Sequence, residues 1–128
     1  MVTSLKKEFS ILIYEKEKLL NSILQYQISN YNIYSIFVIE NYEQLHEISM
    51  NRSFDACISN LNNFSNDSKC FINILRNKNK NINFIAYHEP FYKNRIGNVD
   101  KLLLLEKPFK LATLLNYLDS INNTETLN

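Results

Sequence analysis

Apolar residues gather in five short blocks separated by longer, more polar stretches: "FSILIY" at 9–14, "IYSIFVI" at 33–39, "DACIS" at 55–59, "INFIAY" at 82–87 and "KLLLL" at 101–105. Each block is too short for a core helix and lacks strict polar alternation, which is the pattern of a strand buried on both faces. Between the blocks the period changes. Leu20, Ile23, Leu24 and Ile28 fall on one helical stripe, and Leu111, Leu114, Leu115 and Leu118 fall on another. Tyr42, Leu45 and Ile48 mark a weaker helix, as do Phe71, Ile74 and Leu75. Pro90 is placed to open a short helix in "PFYKNRIG" that Gly97 would end. Strand followed by helix, repeated along the chain, predicts an α/β three-layer sandwich in which right-handed crossovers put helices on both faces of a five-stranded parallel sheet. No repeat or linker interrupts the pattern, so one domain over 1–128 is expected.

In open sheets of this kind the functional crevice lies beyond the carboxyl ends of the strands, where the strand order reverses. The rule selects Tyr14, Glu15, Lys16 and Glu17 after the first block, Ser59 and Asn60 after the third, and Ala86 and Tyr87 after the fourth. Glu106, Lys107, Pro108 and Phe109 follow the fifth. These four ends are expected to meet.

Three segments then resemble one family, the receiver domains of bacterial response regulators, which have a flavodoxin-like (βα)5 fold. "ILIYEKE" is similar to the family's first strand with its acidic pair, "FDACISN" to its third strand ending in the phosphorylated aspartate, and "LLEKPFKLATLLNYL" to its fifth strand, Lys-Pro-Phe turn and last helix. The likeness spans about residues 9–122. It implies a role in two-component phosphorelay signalling, yet most of the positions that carry the family's chemistry differ. Where the family holds Mg²⁺ with two acids and the phosphoacceptor, this chain has Glu15, Lys16 and Asn60. The hydroxyl residue that closes the fourth strand aligns with Ala86, and the aromatic switch residue of the fifth with Leu104; Lys107 keeps the lysine that pairs with the phosphoryl group.

Transfer of a phosphoryl group to a side chain needs an anionic nucleophile and a divalent cation to offset the charge of the transferred group. An asparagine amide supplies neither, and exchanging carboxylates for an amide and an ammonium removes the hard, charged oxygens that Mg²⁺ requires. The expectation is a pseudo-receiver, not an enzyme, with no metal or other cofactor. It would work by contact with a signalling protein (a histidine kinase, a phosphotransferase or an output protein) or with itself. Loss of the hydroxyl and aromatic positions points to one constitutive conformation. A buried ammonium needs a counter-ion, so Lys107 is expected to pair with Glu15; the resemblance also implies a cis bond between Lys107 and Pro108. By the same likeness the interaction face is expected over residues 90–118, with Phe91, Tyr92 and Arg95 as anchors of the kind interfaces favour. Two alternatives stay open: a functional phosphorelay receiver that uses a displaced carboxylate, Asp55 or Glu17, and a small-ligand module or enzyme in the same crevice.

Composition narrows the picture further. Fourteen basic and thirteen acidic residues leave a net charge of +1, which gives no electrostatic footprint for nucleic acid. No apolar run approaches the about 20 residues of a membrane span, and the start of the chain is too interrupted for a signal peptide, so a cytoplasmic protein is expected. Cys57 and Cys70 lie in no CxxC motif and read as buried apolar residues; His46 and His88 have no partner at metal-ligand spacing. A single glycine excludes a glycine-rich phosphate loop. With twenty asparagines in the chain, an individual asparagine carries weight only through its position.

Overall fold

The computed structural model describes residues 9–31, 34–61, 68–90 and 99–127. Of the helix expected in 90–97, all but Pro90 lies outside these residues, and with it Phe91, Tyr92 and Arg95. Five strands form one sheet: β1 (Phe9–Tyr14), β2 (Tyr34–Ile39), β3 (Ala56–Asn60), β4 (Asn83–His88) and β5 (Leu102–Glu106). Their order is β2-β1-β3-β4-β5, and every pair is parallel. The order reverses between β1 and β3, as it does in flavodoxin-like folds.

The helices are α1 (Lys18–Ser29), α2 (Tyr42–Asn51), α3 (Ser68–Lys78) and α4 (Leu111–Leu127). Side chains alternate across each strand, so the sheet feeds two separate cores. On one face Ile11, Ile13, Ile58, Ile85 and Tyr87 pack with Leu24 and Ile28 of α1 and Leu114 and Leu118 of α4. On the other, Leu12, Cys57, Phe84 and Ala86 pack with Leu45 of α2 and Leu75 of α3. Central β1, β3 and β4 are buried on both faces, which is why their sequences read as continuous apolar runs.

The helical stripes are narrower than the sequence pattern implies. Leu24 and Ile28 are fully buried, but Ile23 is 40% exposed and Tyr42 of α2 is 39% exposed. The buried face of α1 is completed instead by Asn21, one turn before Leu24, whose side-chain amide donates to the Glu15 carbonyl at 3.0 Å and whose side-chain carbonyl accepts from Gln25 at 2.7 Å. That bond ties the first turn of α1 to the end of β1. The Asn41 side chain caps α2 by accepting from the Gln44 amide at 2.9 Å. No helix among the described residues is long and apolar enough to cross a membrane.

Candidate functional site

In a parallel ladder, residues paired in register point to the same face of the sheet. Asn60 pairs with Tyr87, and Tyr87 with Leu105. Glu15, one residue past the Tyr14–Ser59 pair, and Lys107, two past Leu105, follow the same phase. Glu15, Asn60, Tyr87 and Lys107 therefore meet at the carboxyl end of the sheet on the side covered by α1 and α4. Lys16 belongs to the same turn but is exposed.

Ala86 does not join them. It pairs with Ser59 and Leu104, is fully buried, and packs in the opposite core with Cys57 and Phe84. Leu104 shares that phase and is 37% exposed on edge strand β5. The residue that β4 offers to the crevice is Tyr87, one position further on. A shift of one residue in a strand moves a side chain to the other face, so the β4 position in this site belongs to a phenol rather than to a methyl group.

Tyr87 fills the crevice. The residue is completely buried, its ring centroid lies 5.6 Å from that of Phe109, and its hydroxyl donates to Glu15 Oε1. Glu15 is itself 4% exposed, and its second oxygen accepts from the Glu17 amide at 2.7 Å. The carboxylate thus has a donor on each oxygen, both neutral, one from the end of β4 and one from the entry to α1. Burial, followed by the bond to Glu15, pushes the Tyr87 hydroxyl above its usual range and keeps it a protonated donor.

Lys107 does not pair with Glu15 as expected. Its ammonium lies 3.3 Å from Glu89 Oε1 and 5.3 Å over the Tyr87 ring, a salt bridge on one side and a cation–π contact on the other. The side chain keeps 23% of its exposure, so the charge has a route to water that a fully buried ammonium would lack. The Lys107–Pro108 bond is cis, as the resemblance implied.

The donor set does not fit Mg²⁺. The crevice offers one carboxylate, already engaged on both oxygens, one amide and one ammonium, and among the described residues no cluster of three His, Cys, Asp or Glu could hold a metal ion. Asp55 is no substitute nucleophile. It precedes β3 at the opposite end of the sheet, where its Oδ2 accepts from the Ser10 amide at 2.8 Å. Glu17 is exposed at the start of α1. Cys57 is a buried free thiol whose pKa is raised by burial, and the Cys70 side chain lies outside the described residues.

Beside the crevice, an open groove of about 590 Å³ runs between α1 and the turn after β5. Leu20, Ile23, Phe109 and Leu111 line it, with Glu17 and Glu89 among its polar residues. Neither the groove nor Glu89 stands out in the sequence beyond the run of apolar positions Leu19, Leu20 and Ile23 on α1, of which Leu19 is 68% exposed.

No family model matches the chain, and no curated protein matches it. Solved structures do. A response regulator receiver protein from Sinorhizobium medicae superposes with a TM-score of 0.73 at 13% identity, covering 91% of this chain and 96% of that one. The receiver domain of a Pseudomonas aeruginosa sensor histidine kinase, with a magnesium ion coordinated in its active-site cleft, gives 0.70 at 16% identity, covering 91% and 99%. A CheY-like receiver domain from Methylobacillus flagellatus gives 0.68 at 23% identity, covering 90% and 99%. The chain has the fold of response-regulator receiver domains.

Proposed function

We propose that this chain is a pseudo-receiver, a signalling module of the response-regulator type that acts by binding another protein and not by accepting a phosphoryl group. One observation carries the reading: Glu15, the buried carboxylate of the crevice, is occupied by the Tyr87 hydroxyl and the Glu17 amide, next to an asparagine where a nucleophile would stand. The receiver fold supports a place in two-component signalling, with a histidine kinase, a phosphotransferase, an output protein or a second copy as partner. The apolar groove beside α1 lies within residues that include Pro90, Lys107, Pro108 and Leu111, part of the 90–118 segment assigned to partner contact. Binding is the role that such a surface favours.

Incubation with acetyl phosphate and Mg²⁺, followed by intact-mass measurement, tests the reading. The unmodified mass is expected. A phosphorylated species that disappears when a single carboxylate is changed would refute it.

A further inference from the structure

We infer that Tyr87, and not the missing acceptor carboxylate alone, keeps the crevice closed to ions: its phenol occupies the place an ion would enter and takes the carboxylate oxygen an ion would need. The inference rests on the pseudo-receiver reading and adds a cause to it. Restoring an acid at position 60 does not by itself produce an ion site.

Two contacts set this arrangement. A cation approaching Glu15 meets a carboxylate whose Oε1 already accepts from the Tyr87 hydroxyl and whose Oε2 is held by the Glu17 amide at 2.7 Å, so it competes with both donors for the oxygens. The hydroxyl cannot swing aside easily, because its ring is completely buried and lies 5.6 Å from the Phe109 ring at a tilt of 32°. Ring and hydroxyl would have to leave the core together, stranding a buried carboxylate. An anion meets a different obstacle. The Lys107 ammonium lies over the face of the same ring and is paired with Glu89, so the cation that could attract an anion is already engaged on the outer side. Tyr87 is thus a positioning residue for Glu15: its hydroxyl joins the end of β4 to the turn between β1 and α1.

Mg²⁺ titration by calorimetry, on Asn60→Asp and on Asn60→Asp combined with Tyr87→Thr, reads the effect directly. Asn60→Asp is expected to bind no more tightly than wild type, and the added Tyr87→Thr to strengthen binding about tenfold or more, the scale of freeing one charge-assisted hydrogen bond. Equal affinity in the two variants overturns the inference and leaves the functional reading intact; phosphorylation of the wild-type chain is the separate result that defeats that reading. Because Tyr87→Thr opens the core, Tyr87→Phe provides a second measurement that keeps the ring. Its Glu17 amide is expected to exchange with deuterium about fivefold faster relative to the β3 amides of Cys57 and Ile58. An unchanged ratio also overturns the inference.

Discussion

Replacing Tyr87 by Phe removes a single oxygen atom and leaves the ring, its packing against Phe109 and the strand propensity unchanged, so the loss isolates one hydrogen bond. The wild-type hydroxyl donates to Glu15, a carboxylate at 4% exposure, and is itself in a residue with no exposure. A hydrogen bond to a charged group contributes about 1.5–3 kcal/mol, and the remaining partner here keeps its desolvation cost because Oε1 has no other donor among the described residues once the hydroxyl is gone. For a domain of 128 residues each kcal/mol corresponds to about 3–5 °C in Tm, so a fall of about 5–15 °C is expected. Urea and thermal denaturation followed by circular dichroism measure it, with Glu15→Gln and the double variant completing a cycle that isolates the pair. A coupling energy below about 0.5 kcal/mol would refute the reasoning, because Tyr87 and Glu15 would then be neighbours without a meaningful bond.

Lys107→Ala is expected to cost about 1 kcal/mol or less, since its ion pair with Glu89 is largely exposed on the glutamate side; a loss of several kcal/mol would mean that the ammonium has a buried counter-ion after all. Alkaline stability should depend on Tyr87. Its folded pKa is raised above the usual 10.0, so its contribution is complete below pH 10 and declines as pH rises further, by about 1.4 kcal/mol per unit at most; Tyr87→Phe should show a shallower decline in urea midpoints above pH 10, and identical slopes would contradict this. The two halves of the α1 stripe separate cleanly by mutation. Leu24→Ala removes a fully buried side chain and should cost about 2–5 kcal/mol, whereas Ile23→Ala, at a position 40% exposed, should cost under about 1 kcal/mol by the same denaturation assay.

Strands were the most legible feature of the chain. The block at 9–14 coincides with β1, and the other four blocks match their strands to within a residue at each end, because burial on both faces leaves an unbroken apolar run. The existence of the four described helices was equally clear, but helix facing was not. At about 100° per residue Ile23 and Leu24 point in different directions, and an apolar stripe written from spacing alone admits both; packing chose Leu24 and Ile28 and gave the inner position near β1 to Asn21 through its bond to the Glu15 carbonyl.

At the site, the convergence of Glu15, Asn60 and Lys107 followed from the rule that places the crevice beyond the carboxyl ends of the strands. Two details did not follow. The phase of β4 depends on its register with β3, and a one-residue offset exchanges Ala86 for Tyr87. The partner of Lys107 depends on the path of the chain after β4, which brings Glu89 to 3.3 Å while Glu15 is turned toward Tyr87. Both errors concern which side of a strand end a group occupies. In each case the signal present in the sequence was Tyr87 itself, a polar aromatic residue inside an otherwise apolar block, which requires a hydrogen-bond partner once buried.

Amide NMR of the folded chain during titration with Mg²⁺, and then with Mg²⁺ plus beryllofluoride as a mimic of a phosphoryl group on a carboxylate, tests the central claim most directly. A crevice filled by Tyr87 predicts no saturable shifts at Glu15, Lys16, Asn60, Tyr87 or Lys107. Saturable shifts at those residues would show that the site still takes an ion and a phosphoryl group, and would contradict the pseudo-receiver account.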